Sequence, residues 1–227
     1  MPTIIGVDHL TKTYGKKSSL FTALDDVSLN IQQGESIAII GKSGSGKSTL
    51  MHLLALLDSP TAGEITVNGT ASSQLPRRQK DQMRNKQFGF VFQQFFLNAN
   101  NTVLDNVILP LKIAGVSRRE RNKRGMEALE SVELADKARN KAVDLSGGQK
   151  QRVVIARALI NNPSIIFADE PTGNLDSVTG EKIEDKLFAL NKSNGITLII
   201  VTHDPDLAAR CDRQINIKDG KIQTEAK

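Results

Sequence analysis

The chain has 227 residues, 39% of them hydrophobic and 24% charged, with 17 glycines; that balance excludes a disordered, collagen-like or low-complexity chain and suffices for a core without covalent staples. A single cysteine, Cys211, excludes an internal disulfide framework and a Cys-rich zinc site, and fits a packing residue in a reducing compartment. The net charge of +5 suits anionic partners, be they nucleotides, nucleic acid or lipid surfaces, and no apolar run approaches the length of about 18 residues that a bilayer span needs.

In chain order, apolar runs predict strands at 22–31, 36–40, 64–67, 88–92, 165–168, 197–202 and 214–217. Several are continuously apolar, as expected of strands covered on both faces. Helices are expected after Gly46, Thr102, Ser117, Gly147 and Ser177, the last carrying the stripe Ile183, Leu187 and Leu190. Ser117 followed by Glu120 reads as a capping-box start. Strands alternating with helices predict an α/β fold with a mostly parallel sheet. From 93 to 162 only helices and loops are legible, which predicts a helical insertion in that core. Two basic clusters, Arg77, Arg78, Lys80, Arg84, Lys86 and Arg118, Arg119, Arg121, Lys123, Arg124, read as solvated faces or as contacts for lipid headgroups or an acidic partner.

The run Gly41-Lys42-Ser43-Gly44-Ser45-Gly46-Lys47-Ser48 fits G-x-x-x-x-G-K-[ST] and lies between a predicted strand and a predicted helix. Glycines there let successive backbone N–H groups turn inward around the β- and γ-phosphates of a nucleotide, and the helix N-terminus adds positive potential. Lys47 is placed to reach the β/γ oxygens and the Ser48 hydroxyl to bind Mg²⁺. Downstream, the apolar strand 164–168 ends in Asp169-Glu170. Carboxylates at a buried strand end need a positive partner, which Mg²⁺ supplies for Asp169. Glu170 is then the candidate to accept a proton from an attacking water.

Leu145-Ser146-Gly147-Gly148-Gln149, upstream of that strand and opening a helix, resembles the LSGGQ signature of ABC ATPases. The remaining motifs resemble the family's in order: Tyr14 the aromatic residue stacked on adenine, Gln93 the Q-loop glutamine, Asn174-Leu175-Asp176 the D-loop, and His203 the switch histidine. Gln94 adjoins Gln93, which is preferred because it directly follows the strand. Lys42 stands where such loops often carry proline. The stretches 170–176 and 106–111 resemble the MacB/LolD-type subgroup.

The resemblance implies a P-loop NTPase (RecA-like) α/β fold with a mostly parallel sheet, an antiparallel β region and a helical subdomain. One ABC ATPase domain is expected over 1–227, with 1–92 and 163–227 as core and 93–162 as helical subdomain. It implies ATP and Mg²⁺ as cofactors. Tyr14, Gly41, Lys42, Ser43, Gly44, Ser45, Gly46, Lys47, Ser48, Thr49 and Gln93 would bind ATP, with Ser48, Gln93 and Asp169 at the metal. Glu170, His203 and Lys47 would be catalytic. Ser146, Gly147, Gly148 and Gln149 would contact ATP held by a second copy, and Asp176 would lie at the dimer interface. The expected assembly is a homodimer at the cytoplasmic face of the cell membrane, peripheral through separate transmembrane permease subunits, with no nucleic acid partner. In that setting Phe95, Phe96 and Leu97 either pack under the helical insertion or line a groove for the permease.

Two other readings are weaker. ABC ATPases of chromosome maintenance carry long coiled coils between phosphate loop and signature, and Lys47 to Ser146 holds no heptad run; translation-factor types carry two cassettes, and this chain has one. A GTPase is suggested by Asn191-Lys192-Ser193-Asn194, but Asn194 lacks the carboxylate that pairs with guanine.

Overall fold

The structure, a computed structural model, describes residues 1–16 and 19–226. Internal contacts divide the chain into two units, Met1–Asp81 with Asn191–Lys227, and Gln82–Leu190. The expected subdomain was narrower, 93–162. Strands β6 (Phe88–Phe92) and β7 (Ile165–Asp169) pair with each other and β6 packs on helix α6 (Gly147–Leu159), so both strands group with the helices.

In the first unit, β1 (Thr3–Tyr14), β2 (Phe21–Gln32), β4 (Ala62–Val67) and the two-residue β5 (Thr70–Ala71) form an antiparallel sheet in the order β2-β1-β4-β5. Strand β1 was not expected from the sequence. Ile4, Ile5, Val7 and Leu10 are its buried residues, and their alternation is broken at His9, which sits at φ 48° where the register to β2 shifts. A second sheet centres on β3 (Ser36–Ile40), flanked in parallel by β8 (Thr197–Val201) and β9 (Arg213–Lys218). An unexpected β10 (Lys221–Ala226) returns antiparallel on β9. The β4–β5 and β9–β10 hairpins turn on dipeptides with two positive φ angles, Asn68-Gly69 (49° and 73°) and Asp219-Gly220 (50° and 76°), the residues such turns require. Helices α1 (Lys47–Leu54) and α8 (Pro205–Ala209) follow the carboxyl ends of β3 and β8. Residues 36–39 and 197–201 are all buried, which explains the unbroken apolar runs 37–39 and 198–201.

In the second unit, β6 and β7 are held by an aromatic cluster, Phe167 lying 5.2 Å from Phe88 and 5.7 Å from Phe90 between ring centroids. The expected helix after Thr102 is two short ones, α3 (Val103–Val107) and α4 (Leu109–Ile113), interrupted at Ile108 ahead of Pro110. Helix α5 (Arg118–Glu130) starts at Ser117, whose hydroxyl accepts the Glu120 N–H. Helix α7 (Ser177–Asn194) begins after the strand β7 turn, and its last residues belong to the first unit. Between 93 and 164 the described residues hold helices, 3-10 turns and one isolated bridge, Thr102 with Lys141.

The basic clusters divide. Helix α2 (Arg77–Gln87), which was not expected, has no buried residue; Arg77, Arg78 and Lys86 are exposed, while Lys80 and Arg84 are half-buried. In α5, Arg124 donates to the Ile160 carbonyl and Arg121 to that of Val116 at 3.4 Å, so part of that cluster is structural. Among the described residues no helix is long and apolar enough to cross a membrane.

Candidate functional site

In the first unit, β3 runs into the glycine-rich loop at its carboxyl end. Gly41 adopts φ 150°, and a Cβ there would stand 2.2 Å from the Ile217 carbonyl oxygen. Gly46, at φ 110°, would meet the Ala23 carbonyl at 2.5 Å. Only glycine lets the chain turn this tightly against both neighbours. The Lys47 ammonium folds back to donate to the carbonyls of Gly41 (2.8 Å) and Lys42 (2.9 Å), holding the loop as a ring. Ser45 Oγ is buried beside Gly41 with no hydrogen-bond partner among the described residues. An orphaned hydroxyl just ahead of a helix N-terminus is what a bound phosphate would satisfy. The loop residues therefore fit a nucleotide phosphate.

Tyr14 ends β1 and is tethered. Its hydroxyl donates to Asp58 Oδ2 at 3.0 Å, and the Thr49 hydroxyl interacts with it as well. Burial, then the Asp58 carboxylate, raise its pKa above the ordinary value. The Lys12 ammonium lies 4.9 Å from the ring centroid and pairs with Asp58 at 2.8 Å. One end of the phenol is thus fixed while the ring stays 41% exposed. Phe21, the cross-strand partner of Tyr14, lines a hollow with Ser43, Gly44 and Lys47–Thr49. Neither Asp58 nor Phe21 was singled out in the sequence. An aromatic opposite a candidate aromatic becomes visible only once β1 and β2 are paired.

His203 follows β8 beside the loop, because β3 and β8 are parallel and in register at Ile39 and Val201. Together with Gly41–Ser45 and Asn216 it lines a hollow of about 730 Å³. The exposed Lys42 is on the same rim.

In the second unit, Phe92 pairs with Asp169, so Gln93 and Glu170 emerge side by side from the carboxyl ends of β6 and β7. Glu170 has φ 44°, a left-handed turn that ends the strand abruptly. The Gln93 carboxamide lies over Gly173, whose missing Cβ would stand 3.0 Å from Gln93 Nε2. The Asn174 amide donates to the Gln93 carbonyl at 2.8 Å. Phe96, at φ 45°, is 66% exposed with its ring edge-on to Phe92, so it is not packed under the helices. Gln93 and Asp169 offer an amide and a carboxylate oxygen, and Ser48 of the first unit a hydroxyl, each a hard donor of the kind Mg²⁺ takes.

The signature residues form a reciprocal helix cap. Ser146 Oγ accepts the Gln149 N–H at 3.3 Å, and Gln149 Oε1 accepts the Ser146 N–H at 3.0 Å. Gln149 is therefore committed to the helix start. Gly147 and Gly148 hold the first positions of α6, where backbone N–H groups lack helical acceptors. A Cβ on Gly148 would come within 2.7 Å of Thr179 Cγ2. Asp176 caps α7 by accepting the Thr179 N–H at 3.0 Å, and these bonds from Thr179 hold its carboxyl below the usual range. Ser146–Gln149 and Asp176 line one hollow of about 710 Å³ with Lys182 and Lys186.

Two suggestive residues have ordinary tasks. Asn191 is buried and donates to the carbonyls of Gly34 and Ile196, pinning a turn where the sequence resembled a guanine reader. Burial pushes the Cys211 thiol up to about 12, which keeps it protonated and unreactive.

Residues 24–173 match the family described as ABC transporter. The chain is 44% identical over 215 residues to the lipoprotein-releasing system ATP-binding protein LolD of Bordetella avium, covering 95% of this chain and 94% of that one. It is 47% identical over 228 residues to the uncharacterized ABC transporter ATP-binding protein MJ0796 of Methanocaldococcus jannaschii, covering 99% and 97%. The dimeric structure of a post-hydrolysis state of MJ0796 bound to ADP and Pi superposes with a TM-score of 0.90 at 45% identity over 98% of both chains. The cbiO1 subunit of a Clostridium perfringens ABC transporter complex superposes at 0.87 with 30% identity, covering 100% of this chain and 89% of that one.

Proposed function

The chain belongs to the ABC transporter family and is an ATP hydrolase of that family, and from this premise we propose that it dimerises around two ATP molecules to drive a separate membrane permease of the lipoprotein-releasing type. The observation that carries the reading is that one chain presents two anion-ready helix starts. One is the glycine ring closed by Lys47 at α1, and the other is the Ser146 cap at α6. A single nucleotide needs one phosphate cradle, so a second in the same chain suits a head-to-tail pair in which each copy completes the other's site.

In this reading Gly41–Thr49 hold the phosphates, and Tyr14 offers its exposed face to adenine. Ser48, Gln93 and Asp169 would hold Mg²⁺, which neutralises charge on the phosphate oxygens when bound. Glu170 accepts the proton of the attacking water, Lys47 stabilises charge developing on the γ-phosphate, and His203 keeps the reacting geometry. Ser146, Gly147 and Gly148 contact the γ-phosphate on the second copy, the hydroxyl of Ser146 keeping its proton to donate while its oxygen caps α6. Gln149 serves that contact indirectly through the cap, and Asp176 faces the partner. The LolD name of a relative at 44% identity supports the lipoprotein-releasing type, and the dimeric MJ0796 structure supports the pair. The protein would then work at the cytoplasmic membrane face, attached through the permease, with no nucleic acid in the cycle.

The test is Mg²⁺-dependent ATP hydrolysis by the parent and by Glu170→Gln. The substitution keeps shape and removes the base, so turnover should fall about 10²-fold or more with ATP binding retained. Hydrolysis at the parent rate would remove Glu170 from its role.

A further inference from the structure

The segment following Gln93 is gripped by three side chains from three different places. Arg157, near the end of α6, donates through Nη1 to the Phe96 carbonyl at 2.8 Å and through Nη2 to the Phe95 carbonyl at 3.0 Å. Asn174 takes the Gln93 carbonyl at 2.8 Å. Asn106, only 2% exposed, donates to the Asn98 carbonyl at 3.1 Å and accepts the Asn98 N–H at 2.8 Å.

The middle grip is unusual in chemistry. Arg157 makes no ion pair among the described residues, and its charge is met by two successive backbone carbonyls instead. A half-buried guanidinium is costly unless its donors are placed well. The planar fork suits two neighbouring acceptors in a way a lysine ammonium does not. What it holds is also strained, because Phe96 sits at φ 45°, a region an aromatic residue rarely adopts unless its surroundings impose it.

We propose that Arg157 is a positioning residue for ATP hydrolysis, fixing the Phe95-Phe96 turn and through it the stance of the Gln93 carboxamide. The proposal rests on the reading of Gln93 as a Mg²⁺ ligand. Helix α6 carries the signature residues at one end and Arg157 near the other, a rod of 13 residues and about 20 Å. The guanidinium therefore ties the loop bearing Gln93 to the helix bearing Ser146. Without it Phe96 relaxes out of the left-handed region and the carboxamide leaves its seat over Gly173. Among the described residues the phosphate cradle at Gly41–Thr49 shares no hydrogen bond with Arg157, and its nucleotide affinity should be retained.

Arg157→Gln, Gln93→Ala and the double variant test this. Amide hydrogen exchange of the peptide spanning 93–98 is measured first, without nucleotide or metal. Arg157→Gln should exchange faster there while the strands keep their protection. Unchanged exchange in that peptide overturns the proposal. The Mg²⁺ concentration for half-maximal hydrolysis is measured next. Each single variant should raise it about tenfold or more, as loss of a supporting shell does, and the double variant should match Gln93→Ala alone, because Arg157 acts through Gln93. Additive shifts, or a parental requirement in Arg157→Gln beside a raised one in Gln93→Ala, overturn the proposal while leaving Gln93 its role. A parental requirement in Gln93→Ala removes that role and the proposal with it. Arg157→Lys, which keeps the charge and one carbonyl contact, should fall between parent and Arg157→Gln, and it carries the same cycle if the glutamine variant does not fold.

Discussion

Tyr14 owes its direction to Asp58, a residue with no motif of its own. Burial alone would raise the Asp58 carboxyl, but the bonds from Lys12, the Ser59 N–H and Tyr14 together hold it below the ordinary value near 3.8. A carboxyl depressed in the folded state contributes stability that is complete above its unfolded pKa and is lost as pH falls through the folded one. Asp58→Ala should therefore lower the melting temperature at pH 7, and the gap to the parent should close as pH drops below about 4. The same variant frees the Tyr14 hydroxyl and should weaken ATP binding several-fold at neutral pH, as read by titration calorimetry. An unchanged affinity would detach Tyr14 from adenine. Ser146 is likewise fixed locally, its oxygen capping a helix by accepting the Gln149 N–H.

At the scale of elements, the start of α6 is set by the start of α7. Gly148 lies against Thr179, so an added methyl is forced into a Cγ2 only 2.7 Å away. Overpacking of this kind costs roughly 1–3 kcal/mol and shifts whichever element yields. Gly148→Ala should tilt the cap that carries Ser146 and suppress hydrolysis, while nucleotide binding at the loop before α1 stays at the parent level. Thr179→Ser removes the obstructing Cγ2 and keeps the N–H that Asp176 accepts, so the pair Gly148→Ala/Thr179→Ser should recover part of the activity. If turnover stays lost in the pair, packing against α7 is not the cause. Here a turn that looked like a catalytic signature is also a joint between two helices.

For the whole molecule, the expected behaviour is association driven by ATP. The isolated chain should sediment as a monomer without nucleotide and as a dimer with ATP when Glu170→Gln blocks turnover, because two ATP molecules then bridge the copies. ADP should not hold the pair. The same mass with and without ATP across micromolar concentrations would count against two shared sites. Association driven by bound ligand shifts the equilibrium by its affinity for the dimer over the monomer, so raising ATP should move the transition to lower protein concentration.

The sequence by itself determined the local motifs: the glycine-rich loop between a strand and a helix, the acid pair at the end of β7 and LSGGQ at a helix start are each contiguous, whereas the fold of Lys47 onto the loop carbonyls and the reciprocal cap of Ser146 and Gln149 came with the structure. It also determined the buried parallel strands, whose unbroken apolar runs leave little alternative. Strand β1 was not legible because Asp8, His9 and Lys12 interrupt its alternation, and only pairing with β2 and β4 makes a bulged, half-polar run a strand. Helix α2 was hidden because it buries nothing and so carries no apolar period. Asp58, Phe21, Gly173 and Arg157 entered only with the tertiary structure. Their importance lies in what they touch across 44, 7, 80 and 61 positions of sequence from Tyr14, Tyr14, Gln93 and Phe96. A motif is a local arrangement that its own residues define, whereas a supporting contact is a distance between segments, and folding alone decides which segments meet.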